Sequence, residues 1–505
     1  MKKYILIFFA GCLSSLAFPS LFLIPFFVIG FIIFFQRLWY DLEDQNYFLT
    51  GLAFGLGHFF VGLHWIYFPI TFDLAYAQWA PLMTFIFTVA MGLFFAIPSV
   101  IIGHIFKKIK RFNLFFSFKV FLFSLIFFLS ELTRSYIFGG FPWNLFSHIW
   151  AVDYRLISIT SILGIHGLSF VTIYWVAFIS IFLKNNKLYA LFCFAVLPIT
   201  LFFVGNNYKT NENGKKIIIR VVQPNIPQKD KWSKNKIYGN LDRLINLSNK
   251  NSDIQQPDLL IWPESALTFF VNENRNLLDY LGDNLDKEIL LVTGGLRRES
   301  LKKENKIYNS LFLIKNGNIL NFYDKKKLVP FGEYMPFRKY IKFKKLTRGN
   351  QDFSVGNQSN IIEVLINENS IKIMTNICYE GIFPHIHSPV DLVINITNDA
   401  WFGSTTGPSQ HLMANRSRIV EIGSPGVRVA NSGISAFFDA NGKISQKIDL
   451  NVRDYIQQEI NLVNNKSIFI KFGNKLIISL IFVIAIASII IDRFVKKSRK
   501  KDFLV

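Results

Sequence analysis

The polar half of this chain is organised around one stretch, IKIMTNICYEGIF at residues 371–383. Its first part is rich in β-branched side chains, which predicts a short strand that ends at Cys378. Gly381 and Pro384 then indicate a turn. A free cysteine usually only fills a core, but a cysteine at a strand end is also held rigidly at a rim that a substrate can reach.

Two other predicted strands also end at an ionisable residue. Glu264 follows the run LLIWP at 259–263, and Lys325 follows the run ILNFYD at 319–324. A thiol needs a base to become a nucleophile, and a positive charge stabilises the oxyanion that its attack creates. Glutamate, lysine and cysteine together can supply these roles.

The composition separates a membrane part from a soluble part. With 505 residues, 51% hydrophobic residues and 55 phenylalanines, the chain is too apolar for an ordinary soluble enzyme. The apolar residues are concentrated in 4–204 and 475–491. The net charge of +21 comes from basic residues beside these apolar runs. The positive-inside rule explains that placement, so we predict no nucleic-acid partner.

Charge placement predicts about eight membrane spans. The spans are expected near 4–35 (two spans), 47–67, 80–106, 117–137, 157–183, 187–204 and 475–492. With two spans in 4–35 and a cytoplasmic N-terminus, the basic residues of 107–111 and of the C-terminal tail all lie inside. Residues 1–12 imitate a lipoprotein signal peptide, but the polar stretch expected after a lipidated cysteine is missing. We therefore interpret them as part of an uncleaved span.

The predicted organisation has four parts: a transmembrane bundle of about seven spans at 1–204, an extracytoplasmic domain at 205–474, a span at 475–492 and a basic cytoplasmic tail at 493–505. Disulfides form outside the cytoplasm, yet Cys378 has no plausible partner within its domain, because Cys12 and Cys193 lie in spans. A lone thiol in that compartment favours a nucleophile over a core filler.

The bundle also carries polar groups in apolar surroundings, namely His58, His64, Glu131 and Arg134. Intramembrane ionisable residues are functional candidates by default. All four fall near predicted span ends, where they can simply meet lipid headgroups, so the sequence assigns them no role.

The polar half alternates predicted strands and helices. A strand that ends in a Pro turn is predicted at 216–224. Further strands are predicted at 258–262, 289–294, 307–314, 361–366, 371–377, 390–397 and 434–439, and helices at 234–250, 273–284 and 408–421. Several strands are continuous apolar runs, as expected when both faces of a sheet are covered. This predicts an α/β domain with six or more strands.

Three segments in this order resemble the three signature segments of the nitrilase superfamily: WPES at 262–265, YDKKKLVPFGEY at 323–334 and NICYE at 376–380. Together with the flanking spans, further motifs are similar to those of the apolipoprotein N-acyltransferase family. These motifs are LVPFGEYMP at 328–336, NDAWFG at 398–403, GPSQHLMANR at 407–416 and PGVRVANSG at 425–433. The resemblance covers nearly the whole chain.

The resemblance implies an αββα sandwich that carries a Glu-Lys-Cys triad. Glu264 would be the general base and Cys378 the nucleophile that attacks an acyl ester. Lys325 and the backbone N–H of Tyr379 would stabilise the oxyanion, and Glu333 would orient Lys325.

The family register selects Lys325, with Lys326 and Lys327 as alternatives. Trp232, Tyr379 and Glu380 are expected to support the site or bind substrate. His411 is interpreted as a structural residue of a helix. Neither a cofactor nor a metal site is predicted, because no His/Cys cluster has ligand spacing.

The implied activity is a ping-pong acyl transfer at the outer leaflet of a bacterial inner membrane. Cys378 would take a fatty acyl group from a phospholipid and pass it to the α-amino group of a diacylglyceryl cysteine that begins an apolipoprotein. One alternative is a membrane-tethered nitrilase-type amidase that hydrolyses a small amide. A transporter or receptor is the other alternative, and it leaves the three segments unexplained.

Overall fold

The structure of the chain is a computed structural model. It describes residues 2–40, 46–110, 116–207, 214–250, 255–300, 305–338, 340, 345–346, 351–384, 388–462 and 467–501. Arg111 of the predicted basic cluster and residues 502–505 of the predicted tail lie outside the described residues. The chain forms two compact units. The helical unit comprises Met1–Tyr67, Gln78–Tyr208 and Ser467–Val505, and the sheet unit comprises Phe68–Ala77 and Lys209–Lys466.

The described α-helices are α1 Lys2–Ser15, α2 Ile24–Tyr40, α3 Tyr47–Gly62, α4 Tyr67–Thr71, α5 Leu74–Ala77, α6 Ala80–Lys110, α7 Phe116–Tyr136, α8 Tyr154–Ile157, α9 Thr160–Asn185, α10 Lys187–Asn207, α11 Gln228–Lys231, α12 Ile237–Asn249, α13 Arg275–Asn284, α14 Gly407–Ile422, α15 Ile468–Phe472 and α16 Asn474–Lys501. The described strands are β1 Lys215–Gln223, β2 Leu259–Ile261, β3 Leu267–Phe270, β4 Leu290–Ser300, β5 Asn305–Lys315, β6 Asn318–Asp324, β7 Ile361–Ile366, β8 Asn369–Ile377, β9 Leu392–Thr397, β10 Gly426–Ala430, β11 Ser435–Phe438, β12 Ile444–Ile448 and β13 Asp454–Leu462.

The helical unit contains the candidate membrane spans. Among the described residues, five helices are long and apolar enough to cross a bilayer: Ala80–Lys108, Ser117–Gly139, Thr160–Leu183, Lys187–Asn206 and Asn474–Arg493. The pair Tyr47–Gly62 and His64–Thr71 also qualifies together, but it is bent by 62°. Ile24–Trp39 is apolar but shorter. The apolar helical region is therefore present, with five candidate spans or six if the bent pair is one span.

Arg134 and Glu131 of the helical unit bind backbone groups. The Arg134 guanidinium donates to the carbonyls of Phe141 and Trp143 at 2.9 and 2.6 Å. A carboxylate oxygen of Glu131 accepts the N–H of Phe146 at 2.7 Å. Backbone polar groups must find partners where water is absent, so these two side chains stabilise the loop that follows α7.

His58 and His64, the two histidines of this unit that the sequence singled out, also have local partners. Buried His58 has its Nδ1 atom 2.7 Å from the Ser14 hydroxyl, and exposed His64 has its Nδ1 atom 2.9 Å from the Val61 carbonyl. These contacts give each histidine a structural role in its own helix pair or turn.

The sheet unit is built from two sheets that share one core. The first sheet has the order β13-β1-β2-β4-β5-β6, with β3 paired to β4, and the second has the order β12-β11-β10-β9-β8-β7. Their facing side chains form a single buried cluster to which the first sheet contributes Ile219 and Ile261 and the second contributes Ile373 and Ile394. This shared core agrees with the apolar runs that the sequence shows.

Helices cover the outer faces of the two sheets. Leu241 and Leu244 of α12 and Leu281 of α13 pack in a second core cluster with residues of β2 and β4. On the other sheet, α14 lies so close to β10 that a Cβ atom added to Gly426 would be 2.3 Å from the Ile419 side chain. Glycine at 426 allows this approach.

Strand directions bring several chain segments to one edge of the first sheet. β2 and β4 are parallel, β5 is antiparallel to β4, and β6 is antiparallel to β5. The strands β2 and β6 therefore run in the same direction, and the residues that follow them emerge at the same edge. In the second sheet, β8, β9 and β10 are parallel and likewise end together.

The sheet unit also includes residues 68–77, which the sequence analysis assigns to the span bundle. The Phe72 ring packs edge-on against Trp401 with ring centroids 5.3 Å apart. A Cβ atom on Gly403, where φ is +59°, would lie 3.0 Å from the Phe68 ring. These aromatic contacts attach the segment to the turn that follows β9.

Candidate active site

Cys378 lies at a strained turn directly after β8. It begins the 3-10 turn Cys378–Ile382 with φ at 52°, a left-handed conformation that residues other than glycine rarely adopt. Gly381 in the same turn is tightly enclosed, because an added Cβ atom would lie 2.5 Å from Asn415 Nδ2 and 2.7 Å from Asn395 Nδ2. The turn therefore fixes both the thiol and the backbone N–H that follows it.

Lys325 lies between two carboxylates. Its buried Nζ atom is 2.9 Å from Glu333 Oε2 and 3.7 Å from Glu264 Oε1. Burial acts to lower the pKa of Lys325, but Glu333 and Glu264 outweigh it and raise that pKa above its ordinary value. The side chain therefore stays an ammonium, which is the form that stabilises an oxyanion.

Asn309, on β5, joins the two carboxylates. Its Nδ2 atom donates to Glu264 Oε1 at 2.8 Å and to Glu333 Oε1 at 2.9 Å. The sequence analysis missed this residue, although a polar amide inside the predicted strand 307–314 was a usable signal. Asn309 sets the separation of the two carboxylates that face the lysine.

Glu380 ties the end of β6 to the end of β8. Its Oε1 atom accepts from the Tyr323 hydroxyl at 2.8 Å and from the backbone N–H groups of Lys326 and Lys327 at 2.8 and 3.0 Å. Its Oε2 atom accepts the Ile377 N–H at 2.9 Å. One buried carboxylate therefore holds the strand end that carries the lysine against the strand end that carries the thiol.

The environment of Cys378 keeps its thiol protonated at rest. Burial and the Glu264 charge together raise the pKa of Cys378 to about 12, although Lys325 acts to lower it. The resting thiol is therefore protonated. A base must remove the proton as the thiol attacks, and the Glu264 carboxylate is the negative charge that acts most strongly on the thiol.

A second buried lysine contacts the segment of Glu264. The Nζ atom of Lys231, at the end of α11, donates to the Glu264 carbonyl at 2.9 Å. Burial lowers the pKa of Lys231 to about 8, against the opposing effect of Glu264 and Cys378. Trp232 follows it and is half-buried, and it takes no part in the hydrogen bonds described above. Lys231 could be suspected from the sequence only through its position beside Trp232.

The structure thus brings together five of the seven residues that the sequence selected: Glu264, Lys325, Glu333, Cys378 and Glu380 are all buried. Tyr379 is also buried, and its ring packs edge-on against the Phe383 ring with ring centroids 4.9 Å apart.

The side chains of the two alternative lysines, Lys326 and Lys327, are exposed, so the geometry favours Lys325. Over the described part of the chain, no group of three or more His, Cys, Asp or Glu residues is placed to hold a metal ion.

Comparisons with known proteins identify the family to which each of the two parts of the chain belongs. Residues 218–467 match the family model described as carbon-nitrogen hydrolase. Residues 10–181 match the model described as apolipoprotein N-acyltransferase N-terminal domain. The chain therefore combines a nitrilase-type domain with the apolar N-terminal region of one particular family.

Named relatives extend this match over the whole chain. The apolipoprotein N-acyltransferase of Rickettsia typhi is 36% identical over 504 residues, which cover 96% of this chain and 98% of the relative. That of Rhizobium rhizogenes is 29% identical and covers 91% of this chain and 90% of its own length. A solved carbon-nitrogen hydrolase superfamily protein from Xanthomonas campestris aligns with 49% of this chain and 91% of its own at 18% identity, with a TM-score of 0.31. The chain belongs to the apolipoprotein N-acyltransferase family of the nitrilase superfamily, which confirms the resemblance noted in the sequence.

Proposed function

We propose that this protein transfers a fatty acyl group from a phospholipid, through a thioester on Cys378, to the α-amino group of the diacylglyceryl cysteine at the start of apolipoproteins. The family supports the acyltransferase activity and the lipoprotein acceptor. The observation that carries the proposal is the buried Lys325 ammonium held between Glu333 and Glu264 and acting on the Cys378 thiol.

In the first half-reaction, Glu264 takes the thiol proton while sulfur attacks the ester carbonyl of the phospholipid. The negative charge that develops on the carbonyl oxygen is stabilised by Lys325 Nζ and by the N–H of Tyr379. The intermediate then breaks its ester C–O bond. The leaving alkoxide takes the proton from Glu264, which releases a lysophospholipid and leaves an acyl thioester.

In the second half-reaction, the acceptor amine attacks the thioester carbonyl. An α-amino group has an ordinary pKa of about 7.7–8.0, so a substantial fraction is neutral near pH 7. Glu264 accepts a proton from the attacking nitrogen, and the same two donors stabilise the oxyanion. The C–S bond then breaks, the thiolate recovers the proton from Glu264, and the product is an amide.

The remaining residues of the site receive supporting roles in this proposal. Glu333 orients Lys325, and Glu380 fixes the distance between the lysine and the nucleophile. Trp232 and the ring of Tyr379 form part of an apolar wall that keeps water from the thioester. This wall explains why an amine that arrives through the bilayer is acylated in preference to water.

We propose that the enzyme resides in a bacterial inner membrane, that it crosses the membrane about eight times, and that residues 205–474 face the periplasm. The support is the charge pattern: Arg37, Lys107 and Lys108, and the basic tail of 493–505 all fall on one side when 4–35 form two spans. In this arrangement both lipid substrates lie in the leaflet next to the sheet unit.

The decisive experiment is intact-mass analysis of the purified full-length protein. Incubation with phospholipid micelles is expected to add one acyl group to Cys378, and a diacylglyceryl lipopeptide is expected to discharge it as an N-acyl product. An adduct that disappears in water as fast as with lipopeptide would identify a tethered hydrolase instead. No adduct in the wild type would refute the acyl-transfer proposal.

Topology gives a separate prediction. Cysteines introduced near Asn207 and Asn464 should react with a membrane-impermeant thiol reagent in intact cells whose outer membrane has been made permeable, and a cysteine at Ser498 should not. The reason is that the basic residues around Ser498 are retained inside by the positive-inside rule. Labelling at 498 with silence at the other two positions would reverse the orientation.

A further inference from the structure

Three sequence motifs have no role in the mechanism above: 398–403, 407–416 and 425–433. Each contributes one fully buried polar side chain to a single cluster behind Cys378. The side chains are Asp399 from the turn after β9, His411 from α14 and Arg428 from β10, and none is more than 1% exposed. We call them the Asp–His–Arg cluster.

The cluster is held together by charge-assisted hydrogen bonds. Arg428 Nη2 donates to Asp399 Oδ2 at 2.7 Å, and Arg428 Nη1 donates to Asn395 Oδ1 at 2.9 Å. The Thr397 hydroxyl donates to Asp399 Oδ1 at 3.0 Å. Burial acts to raise the pKa of Asp399, but the Arg428 guanidinium outweighs burial and the pKa falls to about 2. The cluster therefore contains a permanent ion pair that gives it a fixed geometry.

His411 connects this ion pair to the nucleophile. Its Nδ1 atom lies 3.0 Å from Asp399 Oδ1 and 3.1 Å from Arg428 Nη2, and its Nε2 atom lies 3.3 Å from the main-chain carbonyl oxygen of Cys378. Nδ1 faces both a donor, Arg428 Nη2, and an acceptor, Asp399 Oδ1, whereas Nε2 faces the Cys378 carbonyl, which is an acceptor. Asp399 already accepts from Arg428 and from the Thr397 hydroxyl, so we assign the N–H to Nε2, and the imidazole donates to the Cys378 carbonyl.

The Cys378 carbonyl receives a second donor. Asn395 Nδ2, whose side chain is itself oriented by Arg428, donates to the same oxygen at 3.2 Å. This carbonyl belongs to the peptide group whose N–H is that of Tyr379. Hydrogen bonds to the oxygen of a peptide polarise it and make its N–H a stronger donor.

We propose that His411, with Asn395, is a positioning residue that orients and polarises the peptide between Cys378 and Tyr379, and thereby strengthens the Tyr379 N–H as the oxyanion donor. This inference rests on the proposed function, because it needs an oxyanion at that N–H. It also accounts for the left-handed backbone of Cys378, which two donors on its carbonyl hold in place.

The test compares two reactions of the same thiol. Acylation by phospholipid passes through an oxyanion, whereas alkylation by iodoacetamide at mildly alkaline pH needs only the thiolate. His411→Leu in the full-length protein is expected to slow acylation roughly tenfold, less than the hundred- to thousandfold loss caused by removing a whole donor. It should leave the alkylation rate of Cys378 within about twofold of wild type, because no oxyanion forms.

Two further variants distinguish a positioning role of His411 from a role in packing alone. His411→Gln keeps an N–H donor near the position of Nε2, so it should restore acylation to within about threefold of wild type. Val420→Ala removes buried side-chain atoms further along α14 without changing a hydrogen bond to Cys378, and should leave the ratio of acylation to alkylation unchanged.

Equal loss of acylation and alkylation in His411→Leu would overturn the inference, because the histidine would then only support the fold. Acylation unchanged in His411→Leu would overturn it as well. Neither result affects the proposed function, which is tested separately by the acylation of wild-type Cys378 and by the transfer of its acyl group to lipopeptide.

Discussion

Cys378→Ser is expected to form no detectable acyl-enzyme and to lose transfer activity by about a millionfold, as happens when the nucleophile of a covalent-catalysis enzyme is removed. A serine hydroxyl is a weak nucleophile without a strong base, and the site is built for a thiol whose proton a carboxylate can remove. The pKa of Cys378 is already raised to about 12, mainly by burial, so the thiol is hard to deprotonate. A serine hydroxyl is less acidic than a thiol and would be harder still to deprotonate at this position. The measurement is intact mass after incubation with phospholipid, followed by product formation with a diacylglyceryl lipopeptide.

Cysteine elsewhere in the chain provides the matched control. Cys193 lies in α10 of the helical unit and is only partly buried, and Cys193→Ser should retain full activity. A Cys378→Ser protein that still builds up an acyl adduct at wild-type rate would show that another residue carries the acyl group.

The strands that the sequence predicts well are those whose pattern reflects burial alone. β1 and β9 contain apolar runs because the shared core covers one face and other elements cover the second. By contrast, no strand was predicted for β13, DYIQQEINL, because its residues are mostly half-buried and show no clear alternation of apolar and polar side chains. Its partner is β1, more than 200 residues earlier, and a local pattern cannot show that pairing.

β10, GVRVA, was not predicted as a strand for a different reason. Its central Arg428 is fully buried, and a buried arginine is rare unless it is paired. Asp399 compensates the buried charge of Arg428 with an ion pair, and it belongs to another motif. Only the folded chain brings the two together, and the same is true of Lys231 and the Glu264 carbonyl.

The three central residues of the candidate site could be predicted more readily than the residues that hold them in position. Glu264, Lys325 and Cys378 each follow a strand, and the sequence shows where those strands end. The residues that hold them, such as Asn309 and the cluster around His411, act through hydrogen bonds between distant segments. Sequence spacing carries no information about such bonds.

The number of membrane spans is likewise hard to predict from the sequence. Composition shows which segments are apolar, but α1 has only 14 residues and α3 is followed by a bend of 62°. Hydropathy alone does not decide whether such helices cross a bilayer, and charge placement is then the remaining argument for the span count.

Lys325→Met is expected to slow both half-reactions by about a hundred- to a thousandfold, equivalent to about 3–4 kcal/mol of lost oxyanion stabilisation. Methionine fills a similar volume but leaves Glu264 and Glu333 facing each other without the ammonium that lies between them. Lys326→Met and Lys327→Met should remain active, because the site uses only the backbone N–H groups of these residues, which bind Glu380. The measurement is the rate of thioester formation in single turnover and the rate of its discharge to lipopeptide.

Lys325→Met is also expected to lower the stability of the fold, because removing one partner of a buried ion pair reduces the free energy of unfolding by about 3–5 kcal/mol. The loss of stability has to be measured separately from the loss of rate. The double variant Lys325→Met with Glu333→Gln removes one of the two uncompensated charges and should recover part of the lost melting temperature. It should not recover the rate, because the positive charge at the oxyanion is still missing. Recovery of both would mean that Lys325 serves the fold alone. Near-normal rates in Lys325→Met, with loss in either neighbouring variant, would move the catalytic role to Lys326 or Lys327.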